Sequence, residues 1–200
     1  MDALLQQLIF AVPAWIGAVV AVWGINTWRR QIRGDDEYQV ARRLLLATYR
    51  YRDTLRSIRN PFSFATKEDE AEAAAISTSP TEKNWRLAQR RYDRRWAPVD
   101  VARSQLEAEL LEAEVVWQES PRPAYLSLLE KEAQLFRAIL EHIDSLEPSA
   151  VDEAEDRDEK RARRAILYCS PNNADQFSTE LNAAIEGPEN VLRKRLKKYK

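Results

Sequence analysis

His142 and Cys169 are the only histidine and the only cysteine of the chain. A zinc site of thiolates and imidazoles needs several such ligands, and an activated thiol needs a base at its side, so one of each leaves only a single pair that would have to converge in space. Glu107, Glu109, Glu112, Glu114 and Glu119 crowd one short stretch. A di-metal carboxylate bundle, however, sets a histidine three residues after a glutamate on each of two helices, which a lone histidine cannot supply. The four glycines, at 17, 24, 34 and 187, lie too far apart for a phosphate loop or a dinucleotide fingerprint, both of which need closely spaced glycines for backbone amides to approach phosphate. These residues read as packing and as solvated helix faces, so no enzyme, metal or cofactor is expected.

What remains able to do chemistry is charge. The net charge of −1 hides a sorted distribution. Residues 24–60 hold nine arginines against four acidic residues, residues 106–159 hold sixteen acidic residues against four basic, and residues 189–200 hold six basic residues against one acid. Arg42, Arg43, Arg50, Arg52, Arg56 and Arg59 on one segment, and Arg193, Lys194, Arg195, Lys197 and Lys198 near the C-terminus, are the candidate contacts to an anionic partner. Pairing of the acidic block with Arg42 to Arg59 or with Arg86 to Arg95 across a bundle is the competing expectation, and it would set register more than stability.

Residues 8–25, "LIFAVPAWIGAVVAVWGI", carry no charge and are extended N-terminally by "ALLQQ". At about 1.5 Å per residue, some 20 helical residues match a hydrocarbon layer about 30 Å thick. A secretory signal would begin with basic residues and end at small ones; this run begins after Asp2 and ends in Trp23 and Trp28. The expectation is a single transmembrane anchor with an interfacial collar over residues 1–28. No Lys or Arg precedes the run, whereas Arg29, Arg30 and Arg33 follow at once. The positive-inside bias therefore orients the N-terminus out and the C-terminus into the cytoplasm, at the inner membrane, with Trp23 and Trp28 at headgroup depth. Ala14 with Ala18, and Gly17 with Ala21, give two small-residue spacings suited to close helix approach. The single cysteine suits a reducing compartment.

The collar "GINTWRRQIRG" followed by "ARRLLLATYRYRDTLRSIRNPF" resembles the start of a family of small bacterial proteins of uncharacterised activity, each with one N-terminal transmembrane helix and a helical cytoplasmic region. The resemblance covers residues 24–62. It implies a bacterial membrane origin and carries over no site.

Few glycines and abundant Ala, Leu, Glu and Arg specify long helices and no sheet. Ala41, Leu44, Thr48, Tyr51, Leu55, Ile58 and Phe62 recur at steps of three and four, a heptad-like face on a basic juxtamembrane helix over residues 29–62 that ends at Asn60-Pro61. Residues 63–80 form a polar linker with room for a short helix in "KEDEAEAAA". "SPTE" then offers a capping box at Ser79 and Glu82. A helical bundle is expected over residues 81–187. One stripe runs through Trp85, Ala88, Tyr92, Trp96, Val99, Ala102, Leu106, Leu110, Ala113 and Trp117, with Pro98 expected to kink or divide it. Another runs through Tyr125, Leu128, Leu129, Leu135, Phe136, Ile139, Ile143 and Leu146. A helix with acids first and bases last spans "VDEAEDRDEKRARRAILYCS", and a short one with Phe177, Leu181 and Ile185 closes at Gly187-Pro188, leaving a basic tail over residues 188–200.

The fold expected is thus all-α: one N-terminal transmembrane helix, then a cytoplasmic antiparallel bundle or coiled-coil hairpin. The function expected is a non-enzymatic, single-pass scaffold at the inner membrane surface that binds a protein partner or itself, with anionic lipid headgroups as a further contact. The alternative is a membrane-tethered nucleic-acid binder using the arginine-rich helices.

Overall fold

In a computed structural model of the chain, the structure describes residues 2–60, 67–76, 79–148, 157–170 and 174–198, without the side chains of residues 2–22, 26, 27, 29, 30, 68, 69, 73, 74 and 76. Every regular element among them is helical: α1 Asp2–Ile58, α2 Lys67–Ile76, α3 Pro80–Trp117, a 3₁₀ turn Arg122–Tyr125, α4 Leu126–Asp144, α5 Arg157–Leu167 and α6 Gln176–Lys198.

The register follows from side chains that meet across helices. Arg43 pairs with Glu109 (3.2 Å) and Glu112, while Arg95 reaches the carbonyls of Ser57 and Ile58, so α1 and α3 run antiparallel. Arg103 meets Glu132, and Trp96 packs on Phe136 with ring centroids 4.8 Å apart, which makes α4 antiparallel to α3. Arg56 bonds Asn182, and Arg193 reaches the Tyr49 hydroxyl, so α6 descends antiparallel to α1. Four helices therefore alternate up and down, with α2 on α3 and α5 closing the gap between α4 and α6.

The core is the heptad-like face of α1 (Ala41, Leu44, Thr48, Tyr51, Leu55 and Ile58, all buried) set against Val99, Leu106 and Leu110 of α3, Leu128 and Leu135 of α4, and Leu181 and Leu192 of α6. Tyr92 and Trp117 are buried, and Trp85 and Trp96 pack against the core, so the aromatic residues of α3 serve packing. Phe62 lies outside the described residues.

The structure departs from two local expectations and narrows a third. Pro98, expected to kink or divide α3, does not divide it. Pro98 and Arg94 both lie on the exposed side of α3, where the loss of one helical N–H is tolerated best. Ser79 is the N-cap with Pro80 first in the helix, but its side chain makes no capping bond, and Glu82 instead pairs with Arg86 at 2.9 Å. Gly187-Pro188 does not end α6, which continues to Lys198. Packing outweighs the local stop signal there, because Leu192 is fully buried and Leu196 lies against the core. Gly187 also permits a close approach, since a Cβ at that position would lie 3.2 Å from the Ala124 carbonyl oxygen.

Among the described residues no helix is long and apolar enough to cross a membrane, and residues 8–22 of the uncharged run fall outside those whose side chains are described. The backbone across that run is helical and continuous with the bundle part of α1.

Candidate interaction surfaces

The basic segment of α1 divides into buried and exposed cations. Arg59 is fully buried, which removes it from the candidate contacts to an anionic partner. It sits one residue beyond α1 and donates to the carbonyls of Ala165 (3.0 Å), Ile166 (2.6 Å) and Tyr168 (3.1 Å), groups that the end of α5 leaves without helical partners. Its guanidinium also meets Ser178 Oγ (2.6 Å) and Asp175 Oδ1 (2.7 Å), over the Phe177 ring. Asp175 immediately precedes α6 and accepts from the backbone N–H of Ser178 (2.9 Å), the geometry of an N-cap. One ion pair thus joins the C-terminus of α5, the N-terminus of α6 and the end of α1. Burial pushes the Asp175 carboxyl up, but Arg59 and the amides of Ser178 and Ser170 outweigh it and hold the group well below the ordinary carboxylate range.

Other arginines are likewise engaged. Arg56 is half-buried against Asn182. Arg52 pairs with Asp53 at 2.8 Å and lies over the Tyr49 ring. Arg43 is held by Glu109 and Glu112, so cross-bundle pairing accounts for part of the acidic face of α3. Arg122 takes Glu107 (2.7 Å) and Glu114 (2.9 Å). Arg95 caps the end of α1 by donating to the carbonyls of Ser57, Ile58 and Asn60. Arg42 and Arg50 stay exposed.

A second buried polar cluster lies mid-bundle. Glu132 is buried and paired with Arg103, while Thr48 bonds Tyr125 across the core at 2.9 Å. Burial, and then the neighbouring Glu132 carboxylate, push the Tyr51 hydroxyl far above the ordinary tyrosine range. Asp175 and Glu132, which organise these clusters, were not among the residues singled out from the sequence. Asp175 carried a usable signal, an aspartate three residues before Ser178 at the start of an apolar stripe; Glu132 carried none.

Two surfaces among the described residues are suited to partners. At the open end of α1, Trp23 (74% exposed), Ile25, Trp28 (62%) and Ile32 project from the helix, and its described side chains become consistently buried only from Val40 onward. Arg33 is exposed beside them, while the side chains of Arg29 and Arg30 lie outside the described residues. The C-terminal turn of α6 arrives near this end. Arg195 stacks on Trp117 (4.3 Å) and pairs with Glu119 (2.5 Å) and Glu37 (3.9 Å), and Lys198 stands 4.0 Å from Glu37. Arg193 pairs with Glu189, whereas Lys194 and Lys197 are exposed. The second surface is on α4. Leu126, Leu129, Ala133, Phe136 and Leu140 recur at three-four spacing one residue out of phase with the core stripe, and they lie exposed or half-exposed. Leu129, Ala133 and Phe136, with Trp96, Asp100 and Arg103, line a groove of about 400 Å³.

Compared with known proteins, the chain matches no family model, no curated protein and no solved structure.

Proposed function

We propose that this chain is a non-enzymatic, single-pass scaffold whose α1 anchors a four-helix domain at the cytoplasmic face of a bacterial inner membrane, where the domain binds a protein partner or a second copy. The observation that carries the reading is the continuity of α1, in which one helix joins an uncharged run of eighteen residues to the heptad-like core face. At about 1.5 Å per residue, its 57 residues extend roughly 85 Å, far more than the buried face requires. Exposed Trp23 and Trp28 at the junction favour a headgroup interface, because an indole gains from one wet and one apolar side. The resemblance of residues 24–62 to small bacterial single-span proteins agrees with this. Nucleic-acid binding has less support, since Arg43, Arg52, Arg56, Arg59 and Arg95 are committed to contacts within the chain.

The three-four stripe of α4 is the surface best suited to a partner helix, because apolar residues so spaced interlock as knobs into holes. Photo-crosslinking from residue 133 in native membranes tests it. A discrete crosslinked product is expected from the intact chain and its loss is expected from Phe136→Glu; absence of any product with the intact chain contradicts the scaffold reading.

A further inference from the structure

We propose that the C-terminal turn of α6 is a second membrane contact, in which Lys194, Lys197 and Lys198 meet the anionic phospholipid headgroups of the same membrane that holds α1. This rests on the anchor reading above and adds to it a lipid class and a set of residues.

The turn reaches the right place because α6 ignores its Gly187-Pro188 stop signal. Had the helix ended there, the basic residues would have followed as an unplaced tail. Instead α6 runs antiparallel to α1 for three further turns, held by buried Leu192 and by Arg195 between Trp117 and Glu119. That packing fixes Lys198 beside Glu37.

Glu37 lies nine residues along α1 from Trp28, about 14 Å at a rise of ~1.5 Å per residue. The headgroup layer extends roughly 5–8 Å beyond the hydrocarbon. With Trp28 at the hydrocarbon edge of that layer, Lys198 stands about 6–9 Å from the negatively charged surface, about one Debye length of ~8 Å at physiological salt, and Lys197 and Lys194 stand about 1.5 and 6 Å farther back, within reach of their extended side chains.

The charge at this level is complementary to such a surface. The acids there are Asp35, Asp36, Glu37 and Glu119, and both Glu37 and Glu119 are engaged by Arg195. Lys194 and Lys197 meet no acidic side chain among the described residues. The helix dipole accounts for a cation or two in a last turn. It does not account for three exposed lysines on a turn already stabilised by Arg193 and Arg195.

The test is amine labelling of the full chain in lipid nanodiscs, made either of phosphatidylcholine alone or with one third phosphatidylglycerol. An impermeant reagent is applied and each lysine is read by mass spectrometry, with exposed Lys160 of α5 as the internal reference. Slowing of about threefold or more at Lys194, Lys197 and Lys198 relative to Lys160 is expected only in the anionic discs, reversed by high salt. In the K194E/K197E double variant, the protection of Lys198 should fall to its value in phosphatidylcholine. Equal labelling in both discs, with the chain co-eluting with them, overturns the lysine contact and leaves the anchor standing. Failure of the chain to co-elute with either disc overturns both.

Discussion

Arg59 shows how one side chain can organise three helix ends. Its partners lie between 106 and 119 residues away in sequence, so nothing in its own surroundings distinguishes it from exposed Arg42 or Arg50. Removing it would leave half-buried Asp175 without its cation, though Ser170 and Ser178 would still donate to it, and would leave the last carbonyls of α5 without their donor. Arg59→Ala should therefore cost about 1–3 kcal/mol, read as a lower midpoint in urea unfolding followed by circular dichroism. A loss below about 1 kcal/mol, the size of an exposed pair, would show the cluster to be solvated. The pH dependence has a definite sign. Asp175 is held below its ordinary range in the folded chain, so its contribution to stability is complete above the unfolded value near pH 4 and is lost as pH falls below it. Unfolding midpoints measured downward from pH 5 should decline less steeply in Asp175→Asn than in the parent chain, because the variant has already lost that contribution. Arginines are legible in a sequence as charge; whether one is spent inside the fold depends on packing between distant segments.

At the scale of elements, apolar periodicity was legible wherever a stripe faces one core. The residues of α1 from Ala41 to Ile58, and those of α3 from Val99 to Trp117, recur in the order that the buried faces show. The end of α6 was not legible, because Gly187-Pro188 is a strong local stop signal that only the burial of Leu192 overrides. The all-or-none role of that packing can be measured. Leu192→Ala should destabilise by about 2–5 kcal/mol, as for a filled core position, and should raise amide exchange throughout residues 188–198. Leu126→Ala, at an exposed site on α4, should stay within about 0.5 kcal/mol of the parent. If Leu192→Ala behaves like the surface change, α6 ends near Pro188 in solution and the lysine turn has no fixed position. The capping box failed for a smaller reason: Glu82 has Arg86 one turn ahead, and that pair competes with the reach back to the cap.

For the whole molecule, the arrangement is polar along one axis. The uncharged run, the exposed tryptophans, Arg33, Glu119 of the α3–α4 turn and the lysines of α6 lie toward one end, while the Arg59 cluster and the C-terminus of α4 lie toward the other. Such an axis has a physical use if one end rests on a bilayer, because hydrocarbon, headgroup and water then meet the residues suited to each. The all-helical architecture of the described residues could be read from composition. The bundle register could not, because it depends on which arginines meet which acids across α1, α3 and α6. The most direct test of the anchor is an alkaline carbonate wash of membranes from cells making the intact chain, followed by protease added to intact spheroplasts. The chain should stay in the membrane pellet, and α3 to α6 should resist digestion until the spheroplasts are lysed. Release into the alkaline supernatant, or digestion of α3 to α6 from outside intact spheroplasts, would contradict the account.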